Sequence, residues 1–298
     1  MRNINNMSKS FKIFIAAAVM IAALTSCKSQ FEALLNGSDV DAKYAAAFDY
    51  FNKGKYQKAA QLFESLSVLT NGTARDDTVQ YYWGLSNYRY KDYYTAETNL
   101  ANFLTNFPNS PFAQDAAFLR IDCLYRSTYR YELDQNPTRN AIAVINQYLV
   151  DNPDSPHRTI CENMLKNLNE RLDKKAFENA KLYYNMEYYK AAWTAFKNIL
   201  KDDADNIYRE DILYYLAKSS YKYASMSVES KQKDRYLTFV DDYYNFIGEY
   251  PDSKNRKELS HYYDRAQKAL GRYSGTEADL EVKEKDFNRD NEKNETIR

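Results

Sequence analysis

Cys27 is the residue best placed for covalent chemistry, because of what precedes it. Arg2, Lys9 and Lys12 give a basic start, an apolar run extends from Phe11 to Leu24, and Thr25-Ser26 lead into the thiol. Such a segment reads as a secretory signal, too short and too soon interrupted for a good membrane-spanning helix. The remaining reactive side chains are scattered. His157 and His261, the two histidines, lie more than a hundred residues apart. No His/Cys/Asp cluster has metal-ligand spacing, and the chain lacks both a phosphate-cradling glycine loop and a Gly-x-Ser-x-Gly elbow. His157, directly after Pro156, and His261 both read as surface residues. Asp76-Asp77, Asp202-Asp203 and Asp241-Asp242 read as helix caps or solvated faces, and as general acid/base pairs only if folding brings another site to them. Cys123 and Cys161 sit in helical patterns. Export permits a disulfide, but two unclustered cysteines on apolar faces read as small buried residues. These residues predict no catalytic centre, no metal and no cofactor other than a lipid on Cys27.

Leu24-Thr25-Ser26-Cys27 resembles the lipobox of bacterial lipoproteins. That resemblance implies an acylated Cys27 sulfur, cleavage just before it, and a lipidated cysteine as the mature N-terminus. Loss of residues 1–26 removes three of 41 basic residues and none of 41 acidic ones, leaving a formal charge of −3. Such a balance gives no basis for nucleic-acid binding, which needs a basic face to neutralise phosphates. Seven glycines and six prolines are few for a loop-rich or β-rich chain, so composition favours helix. The 29 tyrosines, many adjacent as in Tyr81-Tyr82, Tyr183-Tyr184 and Tyr188-Tyr189, suit helix faces that bury a ring while the hydroxyl reaches water. They also suit a peptide-binding surface.

The elements that hold these residues emerge from self-similarity. One unit reads Ala47-x-x-Tyr50, Gly54-x-Tyr56-x-x-Ala59-x-x-x-Phe63. A second reads Gly84-x-x-Asn87, Tyr93-x-x-Ala96-x-x-x-Leu100. A later one reads Ala180-x-x-Tyr183, Tyr189-x-x-Ala192-x-x-x-Phe196. These match the tetratricopeptide pattern. Small residues let two antiparallel helices approach, aromatics fill the groove beside them, and neighbouring pairs must stack to bury the stripe. A second phrase marks unit ends: Asn106-Phe107-Pro108-Asn109-Ser110, Asn152-Pro153-Asp154-Ser155 and Tyr250-Pro251-Asp252-Ser253. In each, a proline stops one helix and the Asn/Asp-Ser pair caps the next.

The predicted fold is an all-α, tetratricopeptide-like α-α superhelix. Its five helix pairs run over about 40–69, 76–107, 111–151, 157–203 and 206–250, with a closing helix near 253–271. An insertion, Tyr131–Thr138, interrupts the third pair, and no breaker separates Arg158 from Met186 in the fourth. The predicted organisation is a signal peptide (1–26), a lipidated tether (27–39), the repeat domain (40–271) and a charged tail (272–298) read as disordered or partly helical. Extended at about 3.5 Å per residue, the tether would reach about 40 Å.

A lipobox followed by such pairs, with Asn/Asp-Pro-x-Ser closings, resembles the BamD family of outer-membrane β-barrel assembly. Further matches are Asp134-Gln135-Asn136-Pro137 before Ala141, and the long helix through Asn169-Glu170-Arg171-Leu172 into Phe177-Glu178-Asn179-Ala180. The resemblance implies a non-catalytic scaffold, lipid-anchored at the periplasmic face of the outer membrane. C-terminal repeats would dock on the periplasmic domains of the barrel-forming subunit, and N-terminal repeats would receive unfolded outer-membrane precursors. Tyr44, Phe48, Phe51, Tyr81, Leu85 and Tyr88 are the predicted peptide-binding groove, where aromatic rings would take an aromatic C-terminal strand signal. Filling of inter-repeat grooves is an equal reading for each ring. A different tetratricopeptide envelope lipoprotein, an adaptor in cell-wall synthesis or uptake, would share anchor and repeats.

Overall fold

A computed structural model describes residues 30–271, and every described helix begins or ends within a few residues of a sequence breakpoint. Cys27, the rest of the signal segment and the tail 272–298 lie outside the described residues. Helix α1 covers 30–36. Five pairs follow: α2 (Val40–Asn52) with α3 (Tyr56–Leu69), α4 (Asp76–Tyr90) with α5 (Tyr93–Asn106), α6 (Ala113–Arg126) with α7 (Asn136–Asp151), α8 (Arg158–Asn185) with α9 (Tyr189–Asp202), and α10 (Arg209–Ser225) with α11 (Glu229–Glu249). Helix α12 (Arg256–Leu270) closes the series. The chain divides into two units, one of residues up to 129 together with 134–165, the other of 130–133 and everything from 166 on.

In the first unit the tether expectation is corrected. Phe31, Leu34 and Leu35 fall at helical spacing and pack against the core of the first pair, with Phe31 edge-to-face on Tyr50 at 5.5 Å. Lys43, only 2 % exposed, fixes this arrangement. Its Nζ donates to the Leu35 carbonyl at 3.0 Å and to Ser65 Oγ at 2.6 Å, joining α1, α2 and α3. Small residues do what the repeat predicts. A Cβ on Gly84 would stand 2.9 Å from Leu100 Cδ2, so an alanine there would push the Leu100 side chain aside where α4 meets α5.

One polar side chain precedes each first helix from the second pair onward, and another precedes the closing helix α12. Thr73 Oγ1, Ser110 Oγ, Ser155 Oγ, Asn206 Oδ1 and Ser253 Oγ each accept the backbone N–H two residues on, at 3.0–3.3 Å. The serines thus shape the turn before the helix rather than cap it. Ser110 and Ser253 also donate to Asp77 and Glu210, acids in the first turn of the preceding pair. A second device recurs one turn later. Arg158, Arg209 and Arg256 each reach back to the carbonyl five residues before, on Pro153, Ala204 and Pro251.

In the second unit, α8 lies against α9 and α10 through Phe177, Ala180, Ala192, Phe196, Ile212 and Leu216. Part of the third-pair insertion belongs here too. Lys175 Nζ donates to the carbonyls of Tyr131, Glu132 and Leu133 at 2.8–3.3 Å, and Lys174 lies over the Tyr131 ring. Three helix-to-helix turns share a left-handed residue two positions before an aromatic: Gly54 (φ 71°), Lys91 (φ 70°) and Glu187 (φ 64°). Only the first is glycine, and a side chain in this region costs about 1 kcal/mol. Glu187→Gly is therefore expected to raise stability by about 0.5–1 kcal/mol, read as a higher urea midpoint with an unchanged slope.

Candidate polypeptide-binding site

Tyr44, Phe48 and Phe51 lie at i, i+4 and i+7 on α2, and Tyr81, Leu85 and Tyr88 at the same spacing on α4. Each trio forms one stripe. Neither stripe is a free aromatic strip. The Phe48 ring centroid is 4.7 Å from Tyr82, 5.1 Å from Phe63 and 4.9 Å from Tyr44. Phe51 meets Tyr82 at 5.2 Å and Tyr56 at 5.4 Å. Arg75, paired with Asp41, covers the Tyr44 ring at 4.8 Å. The α4 stripe turns toward α6. Tyr81 is buried and stacks on Phe112 at 4.5 Å with planes 7° apart. Leu85 and Tyr88 are half-buried against the cluster containing Leu100, Phe103 and Cys123. All six expected groove residues thus sit in seams between successive pairs, Tyr81 buried and the other five half-buried.

Sequence reading missed the hub and the hydrogen-bond ladder. Tyr82 contacts Phe48, Phe51, Phe63, Tyr81 and Phe112, joining pairs one, two and three. Tyr81 donates to Asp115 Oδ2 at 3.3 Å and Tyr88 to Asp122 Oδ2 at 2.6 Å. With Arg75 on Asp41, all three links step by 34 residues, the length of one repeat. That common step was the signal available in the sequence. Burial, then the Asp122 hydrogen bond, pushes the Tyr88 hydroxyl up to about 12, so it remains a neutral donor.

Several of the side chains singled out for chemistry have structural partners. Asp76 accepts from Gly72 N and Gln80, and Asp77 from Thr78 N and Ser110, as helix-start acids do. Cys123 and Cys161 are buried and unpaired, and burial pushes the Cys123 thiol up to about 12. At neutral pH it is protonated and no nucleophile. His157 departs from its expected exposure: its ring stacks on Phe118 at 3.8 Å. His261 is exposed. Asp242 also departs from the solvated-face reading, being buried and accepting the Trp193 indole N–H at 2.9 Å.

A better-exposed surface lies in the second unit. Tyr183, Tyr188, Met226, Val228 and the Arg235–Tyr223 pair line an open cleft of about 880 Å³ between the α8–α9 and α10–α11 turns. Tyr188 and Met226 are 58 % and 67 % exposed. Aromatic and methionine side chains around a guanidinium are the composition of a protein-docking surface. Their adjacency to half-buried Tyr184 and Tyr189 hid them among the packing tyrosines.

Among solved structures, the chain aligns with a tetratricopeptide repeat protein from Parabacteroides merdae at 13 % identity over 79 % of each chain, with a TM-score of 0.32. Among sequences, it is 20 % identical over 240 residues to the outer membrane protein assembly factor BamD of Caulobacter vibrioides, covering 80 % of this chain and 77 % of that protein. A protein of Aquifex aeolicus with the same assembly-factor designation is 23 % identical over 215 residues, 72 % of this chain and 70 % of that one. The profile described as YfiO, outer membrane lipoprotein, matches residues 37–237, from just before α2 into α11. With more than half of its length matched in this way, and with two relatives named BamD, the chain belongs to the YfiO/BamD family of outer membrane lipoproteins.

Proposed function

We propose that this chain is a non-catalytic scaffold in the assembly of outer-membrane β-barrel proteins, held at the periplasmic face by a lipid on Cys27. Family membership over residues 37–237 carries the reading. The second-unit cleft supports one further element: it would dock the periplasmic domains of the barrel-forming subunit. An exposed apolar cleft rimmed by tyrosine and methionine offers the desolvated anchors that protein interfaces concentrate. The first-unit repeats, with half-buried aromatic side chains on α2 and α4, would meet unfolded precursors.

Detergent extraction and pull-down of the tagged full chain is expected to recover the barrel-forming subunit. Tyr188→Ser with Met226→Ser is expected to lower that recovery at least tenfold at unchanged helicity and melting temperature, since both side chains are exposed. Recovery of an unrelated envelope complex without any barrel subunit would replace the reading with a different adaptor role.

A further inference from the structure

The turn between α2 and α3 and the turn between α4 and α5 lie side by side in the first unit. They enclose an open depression of about 430 Å³ lined by Lys55, Lys58, Arg89 and Lys91, with Tyr90 among them and no carboxylate in its lining. Lys53 stands next to it, paired with Asp49 at 2.7 Å. Lys55, Arg89 and Lys91 are exposed, Lys58 is half-exposed, and none of the four is held in an ion pair among the described residues. Four unneutralised cations within two turns stand out on a chain whose formal charge is zero.

The place of this cluster relative to the chain start identifies its partner. Lys58 Nζ lies 4.9 Å from the Phe31 ring centroid and 5.4 Å from that of Tyr50, and Lys55 lies 5.8 Å from Tyr50. Phe31 is the second described residue, seated in the core of the first pair. Three peptide steps separate residue 30 from Cys27, and fully extended they span about 10 Å. An acyl anchor on Cys27 would therefore hold the first pair close enough for a bilayer surface to come within a screening length of Lys58. Tyr90 and Tyr94, 48 % and 83 % exposed, flank the cations. Lysine, arginine and exposed tyrosine together are the side chains that settle at a membrane–water interface.

We propose that Lys55, Lys58, Arg89 and Lys91 form a headgroup-binding edge that engages anionic phospholipids of the membrane holding the anchor. The edge orients the first repeat against the bilayer, whereas the lipid alone would only tether it. The inference rests on the reading of Cys27 as acylated, but the electrostatic contact itself needs no acyl chain.

The test uses the whole processed chain from residue 27 with Cys27→Ser, so that no lipid is attached. It is mixed with vesicles of phosphatidylcholine alone or of phosphatidylcholine and phosphatidylglycerol, in low salt. Sedimentation with the anionic vesicles only, lost on raising the salt, is the expected result. Lys55→Glu, Lys58→Glu, Arg89→Glu and Lys91→Glu together are expected to weaken it at least tenfold with unchanged helicity. A charge-matched control, Lys190→Glu with Lys201→Glu, Lys231→Glu and Lys257→Glu, is expected to retain it. Equal loss in the control, binding to neutral vesicles, or no binding at all would overturn the proposal. So would release by inorganic phosphate at constant ionic strength, which would mark a free-phosphate site instead. The mass of the N-terminal peptide from the native protein tests acylation separately.

Discussion

Tyr81→Ala is expected to remove about 3–5 kcal/mol of stability from the first unit. The ring is buried, stacked on Phe112 at 4.5 Å, and 5.4 Å and 5.9 Å from Tyr82 and Phe103. Truncation would leave a cavity where the second and third pairs meet. Tyr81→Phe keeps the stack and loses only a long 3.3 Å hydrogen bond to Asp115, so its cost is expected to stay below about 1 kcal/mol. Urea unfolding followed by circular dichroism separates the two. The comparison matters for function, because an unstable alanine variant that fails to bind precursor peptide has lost its fold and says nothing about a groove. A loss under 1 kcal/mol for Tyr81→Ala would return the ring to the list of ligand-binding candidates.

Asp242→Asn is expected to flatten the pH dependence of stability in the second unit. Burial pushes the Asp242 carboxyl up to about 6 from 3.8, with Asp241 adding to the rise, while hydrogen bonds from Ser220 and Trp193 and the charge of Lys197 oppose it. The folded-state value exceeds the unfolded one, so the native state binds the extra proton between about pH 4 and 6. Stability from this group is full below that window and falls as pH rises through it, by about 3 kcal/mol once the carboxylate is charged. Asparagine keeps an acceptor for the Trp193 N–H and has nothing to titrate. Urea unfolding at pH 4.5 and 7.5 is therefore expected to show a difference for the wild type that exceeds the variant's by 1–3 kcal/mol. Parallel pH profiles would sink the assignment and place the charge in a better-solvated setting.

Most helix boundaries were legible because the chain writes them in residues with one conformational use. Pro108, Pro153 and Pro251 stop helices, and the absence of any breaker after Arg158 foretells the 28 residues of α8. Which way each aromatic faces was not legible. Adjacent residues on a helix point about 100° apart, so Tyr81 turns to α6 and Tyr82 to Phe48 and Phe63. A first helix in a stacked array has neighbours on both sides, and its periodicity alone does not say which stripe stays open. Asp242 was hidden for a related reason, since its partner Trp193 lies 49 residues away and the local sequence shows only two acids in a row. Residues 30–36 were misread because seven residues are too few to register as a helix before a tertiary partner is known.

The Lys43 clamp has a mechanical consequence. Its Nζ is shielded from water and satisfied only by the Leu35 carbonyl and Ser65. Prising α1 away would strip one of those acceptors and leave a polar group without compensation. A pull applied at the amino end would accordingly pass straight into the first helix pair instead of being absorbed by uncoiling slack. Any anchor attached there would act on the repeats as a stiff lever.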